Sequence, residues 1–186
     1  GRINYNLMDK YLFTASLRTD GSSKFGKNNK WGYFPAFSAA WRLGEEEFIK
    51  DLEIFSDLKF RIGYGLAGNN RIGSYQSLAL MSSVTAANGN GAQAGYASRQ
   101  VPNPDLKWEV KHTFNAGADL GMFGNRLLFS INYYNSKTTD MLYLYNVSVP
   151  PFAYNTLLAN IGSMRNSGTE IAIGITPLKT RDMELN

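Results

Sequence analysis

The sequence predicts an all-β protein, an antiparallel transmembrane β-barrel segment of about eight strands. Three observations carry that prediction. Segments of about ten residues alternate apolar and polar side chains, long enough to cross a bilayer when tilted. Connections are short and long by turns, and aromatic residues gather near strand ends.

The chain has 186 residues, with 19 Lys+Arg against 15 Asp+Glu, a net charge of +4. Only 18% are charged and 44% are hydrophobic, which excludes a disordered chain. Cysteine is absent, so a disulfide scaffold, a Cys-ligated zinc site and a Cys nucleophile are all excluded. His112 stands alone, which removes multi-histidine metal sites and most histidine relays. No catalytic residue, metal or cofactor is expected. The cations are scattered without a stripe or motif, so no nucleic-acid partner is expected either. Mean hydropathy is −0.28 and no apolar run approaches the roughly 18 residues of a membrane helix. Barrel strands hide from that average, because lipid-facing and lumen-facing residues alternate.

In chain order, Gly1 to Leu7 opens in mid-alternation, and Met8-Asp9-Lys10 is a tight turn. Lys10 to Arg18 puts Tyr11, Phe13, Ala15 and Leu17 on one face. A long loop, Asp20 to Lys30, leads to Trp31–Arg42, with Tyr33, Pro35, Phe37, Ala39 and Trp41 together. Leu43 to Asp57 is the exceptional connection, where Glu45, Glu46 and Glu47 predict a solvated first helical turn. Leu58 to Ala67 alternates most clearly, with Leu58, Phe60, Ile62, Tyr64 and Leu66 opposite Lys59, Arg61, Gly63, Gly65 and Ala67. The long stretch Gly68 to Asp105 reads as loop, flexible at Gly89 to Gly95.

Trp108 to Met122 and Leu127 to Tyr134 follow, joined by the tight turn at 123–126. A third long loop spans roughly Asn146 to Asn166, before Thr169, Ile171, Ile173 and Ile175. A turn at 179–182 then leads into a last alternation, Asp182 to Asn186. Both ends break off inside strands, which predicts an internal segment of a longer chain.

Not one Asp, Glu, Lys or Arg falls on the apolar faces of these strands. Long connections gather at one end and short ones at the other, as in outer-membrane barrels. Trp31, Tyr33 and Trp108 near one end, and Tyr11, Trp41 and Tyr133 near the other, suit two bilayer interfaces. A secreted β-sandwich binding polysaccharide through aromatic loops is the alternative, and it would bury Tyr64, Ile131 and Ile173. A small self-contained barrel, such as an adhesin, would need matched first and last strands.

Five blocks, in order, resemble a known family: Arg18-Thr19-Asp20-Gly21-Ser22-Ser23-Lys24-Phe25-Gly26, Trp31-Gly32-Tyr33-Phe34-Pro35, Gly68-Asn69-Asn70-Arg71-Ile72-Gly73-Ser74-Tyr75, Asn103-Pro104-Asp105-Leu106-Lys107-Trp108-Glu109, and Asn160 to Glu170. The chain is identified by them as resembling the SusC/RagA-type TonB-linked outer-membrane transporters of Bacteroidetes. That resemblance implies a 22-stranded barrel with a plug. It also implies a SusD-like surface lipoprotein as cap, and TonB-energised import of glycans or peptides through the TonB–ExbB–ExbD complex. Residues 1–186 then make a partial TonB-dependent receptor β-barrel domain in outer-membrane lipid, without plug or barrel ends.

Candidate substrate contacts fall in two sets. Tyr75, Tyr96, Tyr143, Tyr145 and Tyr154, with Phe152, lie in or beside the long loops among Asn, Gln and Ser. Aromatic faces beside amides and hydroxyls suit sugars and peptides equally. Arg18, Asp20, Arg61, Asp119 and Glu170 lie on polar faces or at a turn. They either line a conduit or pair across strands to hold the wall.

Overall fold

The computed structural model describes residues 1–87, 91–179 and 184–185, with side chains through residue 177. Period-two alternation places apolar and polar side chains on opposite faces of a pleated strand. The elements are β1 (Arg2–Leu7), β2 (Tyr11–Gly21), β3 (Trp31–Arg42), a 3-10 turn (Leu43–Glu45), α1 (Glu47–Lys50) and β4 (Phe55–Asn69). They continue with β5 (Met81–Ala87), β6 (Ala92–Ser98), β7 (Glu109–Met122), β8 (Leu127–Thr139) and β9 (Leu142–Asn146). The last are β10 (Thr156–Asn160), β11 (Ser163–Ile175), β12 (Leu178–Lys179) and β13 (Glu184–Leu185).

Seven strands form one antiparallel sheet in the order β1-β2-β3-β4-β7-β8-β11. The eighth strand expected from the sequence lies largely outside the described residues; of it, Glu184–Leu185 is described and pairs with Leu178–Lys179. Register fixes the two faces. One cross-strand row reads Tyr11, Trp41, Phe60, Ala118, Ile131 and Ile171. The row on the opposite face reads Leu12, Ala40, Arg61, Gly117, Asn132 and Glu170.

Among the described residues no protein layer covers the apolar face. Phe37, Ile62, Ile171 and Ile173 are each more than half exposed, and Ile173 reaches 63%. Tyr64 is also exposed and Ile131 is half-buried, so the described residues form no closed sandwich core around them. A single sheet with an apolar belt this large fits contact with lipid.

Strand ends differ from the sequence expectation in an instructive way. β8 runs on to Thr139 and β11 starts at Ser163, so the third loop lies earlier in the chain than expected and carries the β9–β10 hairpin. On these extensions the outer face changes from Tyr133 and Thr169 to Asn135, Lys137, Arg165 and Ser167. The apolar alternation ends at these extensions. Backbone pairing continues, because ladder hydrogen bonds do not depend on side-chain polarity. The second long loop likewise holds the β5–β6 hairpin: Ala92 to Gly95, expected to be flexible, is strand, while Gly89 and Asn90 lie outside the described residues.

The compact apolar core sits at the long-loop end. Phe25, Phe34, Ile72, Leu106 and Trp108 form it, with Leu66, Val110, Leu142 and Leu158 packed against it. Pairing of β3 with β4 stops at Ala36 and Gly65, although both strands run further. Phe34, which alternation assigns to the polar face, is buried in this core. Trp108, expected at a bilayer interface, is buried there too, at 8% exposure, while Trp31 and Tyr33 remain exposed.

Candidate functional site

The polar face of the sheet brings together three of the expected residues. Arg61 on β4 binds Asp119 on β7 through both Nε (2.8 Å) and Nη2 (3.0 Å). The same Nη2 reaches Asn132 Oδ1 on β8 at 2.7 Å. It can do so because Gly117, the cross-strand partner of both, has no side chain between them. Ser130 donates to Asp119 at 2.8 Å and completes its shell. Glu170 on β11 follows Asn132 in the row and shares a hollow with Arg61, Asn115, Asn132, Tyr134 and Asn166. The Tyr134 ring lies over Gly168, its direct partner, so close that a methyl group there would meet the phenol at 2.8 Å.

The other candidates are placed apart. Arg18 pairs with Asp20 at 2.7 Å, two residues along β2, on the exposed rim. Tyr75 has a positive φ of 66°, and its carbonyl accepts from Gln100. Tyr96 projects from β6, and Tyr143 and Tyr145 lie on one strand, β9. Tyr96, Tyr143 and Tyr75 are strongly exposed, and Tyr154 and Phe152 moderately so. No ring contact joins these tyrosines among the described residues. His112 Nδ1 is hydrogen-bonded to Tyr64 Oη at 2.9 Å on the outer face. Among the described residues no His, Cys, Asp and Glu group is disposed to hold a metal.

The long-loop end is tied into one collar. Beneath the apolar core, Trp108 Nε1 donates to the Lys30 carbonyl at 3.2 Å and Asn29 Nδ2 to that of Asp105 at 3.1 Å. Asn103 Nδ2 donates to the Leu158 carbonyl. Lys107 and Asn160 exchange two hydrogen bonds, and Lys107 Nζ pairs with Asp140 at 2.9 Å. Glu109 receives Asn69 on one oxygen and the Leu142 amide on the other. All three long loops therefore share their hydrogen bonds as well as their apolar core.

The short-turn end has its own cluster, which corrects the expectation of a merely solvated Glu45-Glu46-Glu47. The 3-10 turn and α1 break at Glu46, whose extended backbone turns its carboxylate back toward the sheet. It accepts from Lys10 Nζ (2.8 Å), Tyr11 Oη (3.0 Å) and Trp41 Nε1 (3.2 Å). Tyr11 and Trp41 are stacked, with centroids 6.0 Å apart. The hydrogen bond from Lys10 and those from Trp41 and Tyr11 hold the Glu46 carboxyl below its ordinary range. The bond to Glu46 raises Lys10 in turn. Glu45 is also held low, by Lys50 beside it.

Sequence reasoning missed Asn115, Asn132, Tyr134 and Asn166, because isolated Asn and Tyr in strands carry no motif. Their signal is register. Once strands are paired, Arg61, Gly117 and Asn132 form one row, and the glycine between two long polar residues becomes visible.

A sequence model of the family described as "TonB dependent receptor-like, beta-barrel" matches residues 1–183. TonB-dependent receptor SusC of Bacteroides thetaiotaomicron is 39% identical over 186 residues, covering 98% of this chain and 18% of the relative. TonB-dependent receptor P39 of Formosa agariphila is 44% identical over 179 residues, 96% of this chain and 17% of that one. The chain thus spans less than a fifth of the length of these curated relatives. Among solved structures, the RagAB peptide transporter superposes with a TM-score of 0.85 at 30% identity, over 97% of this chain and 20% of that one. The siderophore receptor PirA from Pseudomonas aeruginosa shares the fold alone, with a TM-score of 0.59 at 17% identity over 91% of this chain and 29% of that one.

Proposed function

Because the chain belongs to the TonB-dependent receptor β-barrel family, in its SusC/RagA branch, we propose that it forms part of an outer-membrane transporter importing glycans or peptides into the periplasm. Residues 1–186 are, in this reading, a partial barrel domain. The plug and the remaining wall belong to other parts of a longer protein. Energy comes through TonB–ExbB–ExbD, engaged by those other parts. The apolar face meets outer-membrane lipid, and the collar of long loops faces outward, toward a SusD-like lipoprotein.

The observation that carries this reading is the single sheet, apolar and uncovered on one face, polar on the other. Its connections are short at one end and long at the other, with the β3–β4 connection at the short end as the exception, as is typical of outer-membrane barrels. The polar face offers positioning and electrostatics, with Arg61, Asp119 and Glu170 as conduit residues and Arg18 and Asp20 at its rim. Tyr75, Tyr96, Tyr143, Tyr145 and Tyr154 supply contact area around the mouth.

The test is fractionation and uptake with the full-length protein. It should partition with outer membranes, migrate faster on gels unheated than heated, and support uptake that stops when TonB is deleted. Recovery as a soluble monomer would overturn the reading, as would uptake indifferent to TonB.

A further inference from the structure

The outer face of the wall carries a row of basic side chains just beyond its apolar belt, at the long-loop end. Lys137 on β8 stands directly between His112 on β7 and Arg165 on β11. Like charges directly opposite each other across a ladder destabilise a sheet. β8 is an interior strand with both neighbours described, so described residues flank Lys137 on every side of this face. Asn135 and Thr139 precede and follow it on its own strand. Val110 and Phe114 stand diagonally on β7, as Ser163 and Ser167 do on β11. None of these is acidic. Lys137 is exposed, and among the described residues it makes no hydrogen bond or ion pair. The acids at the ends of these strands are engaged elsewhere: Asp140 with Lys107, and Glu109 with Asn69 and the Leu142 amide. Arg165 turns back toward β8, donating Nε to Asn135 Oδ1 at 3.0 Å, which leaves the rest of its fork for a ligand.

Resting on the outer-membrane reading above, we propose that Lys137 and Arg165 bind the phosphate of a phosphorylated glycolipid in the leaflet at the long-loop end. Position selects a lipid. The row lies one same-face step, about 7 Å along the strands, beyond the row of Tyr64 and Phe114. Tyr64 is exposed, and amphipathic rings are favoured at a bilayer interface. A headgroup held at Lys137 therefore hangs its acyl chains down the belt of Ile62, Ile131 and Ile171. Charge selects the phosphate, since lysine offers a point charge and the arginine fork takes two phosphate oxygens. An anion seated between the two cations replaces their repulsion with two attractions. The neighbours select a sugar. Asn135, Thr139, Ser163 and Ser167 both donate and accept, which suits the hydroxyls of a sugar headgroup. A glycerol phospholipid would use the cations alone.

The experiment uses the full-length transporter, purified in detergent and titrated with lipid under native mass spectrometry. The probes are lipid A (a phosphorylated glucosamine disaccharide), its dephosphorylated twin, and phosphatidylglycerol. Wild type should hold its tightest-bound lipid A about tenfold more firmly than the dephosphorylated lipid. Lys137→Gln should weaken lipid A about fivefold, and adding Arg165→Gln should abolish the preference for phosphate. Lys111→Gln removes the same charge from the lumen face of β7 and should leave binding unchanged. Unchanged binding in the double variant, at wild-type yield of heat-modifiable protein, would overturn the inference. So would equal losses in Lys111→Gln and Lys137→Gln, or a preference for phosphatidylglycerol over lipid A. In cells, a benzophenone on Ser167→Cys, in an otherwise cysteine-free background, should cross-link to lipid. A polypeptide adduct instead would place a protein on this row and overturn the assignment. TonB-dependent uptake tests the transport reading separately, and that reading survives a loss of lipid binding.

Discussion

Arg61 and Asn132 sit on strands separated by β7 and are hydrogen-bonded at 2.7 Å over Gly117, the cross-strand partner of both. The absence of one methyl group makes a two-strand reach possible. The Arg61–Asp119 pair is part-exposed and contributes modestly by itself. Its hydrogen bonds to Asn132 and Ser130, in two adjacent rows, give the wall a polar lock that three strands share.

Gly117→Ala should break this lock. The added carbon would collide with Asn132 Oδ1 and stand 3.0 Å from the Ile131 carbonyl. A loss of about 1–3 kcal/mol is expected in denaturant unfolding of the refolded transporter. Gly63→Ala, on the same face with nothing nearer than 3.7 Å, should change stability by less than about 0.5 kcal/mol. Equal effects would show that Gly117 is not a clearance site.

Ile173 and Gly174 test the assignment of faces. Ile173→Arg puts a charge into the apolar belt and should cost roughly 2–4 kcal/mol at the bilayer midplane, less toward an interface. Gly174→Arg points to the lumen, where Leu128 is the nearest neighbour at 3.5 Å, and should perturb uptake more than membrane insertion. Yields of folded, heat-modifiable protein for the two variants decide the matter.

Glu46 gives the short-turn end an acid-sensitive anchor. Its carboxyl is held below the ordinary value of 4.5, so its contribution to stability is present above that value. The contribution fades as pH falls through the lowered value. Lys10 is held above 10.5, so its share is present below that value and is lost only as pH rises through the raised one. Glu46→Gln should lower the unfolding temperature at pH 7 and flatten its dependence between pH 5 and 3. An acid limb as steep as wild type would exclude Glu46 as its source.

Leu106 is fully buried at the centre of the loop collar. Leu106→Ala should weaken the collar by about 2–5 kcal/mol. Its signature is joint loss of amide protection in three separate places: around Phe25, around Ile72 and around Leu158. Loss confined to the loop that carries Leu106 would mean that the three loops are independent.

The wall was legible from sequence because its physics is local. Leu58 to Ala67 alternates whether or not a partner strand is known, and β2, β3, β4, β7 and β8 follow that alternation. The family blocks were legible as patterns, but their purpose was not. Phe25, Phe34, Ile72, Leu106 and Trp108 come from four of those five blocks, and only folding shows that they meet in one core. Glu46 was misread for the same reason: three glutamates in a row look like a solvated turn. Lys10, Tyr11 and Trp41 are brought to one of them by the β2–β3 register.

The sequence by itself determined an all-β wall, its lipid-facing and lumen-facing sides, and its loop-rich and turn-rich ends. Each depends on period-two alternation or on connection length, quantities written along the chain. Only the tertiary structure decided which polar residues meet. It set Arg61 against Asp119 and Asn132 across a glycine. It also drew Trp108 and Phe34 out of the wall into the collar. Those outcomes depend on register between strands far apart in sequence, and on where β3 and β4 stop pairing. No local pattern encodes either.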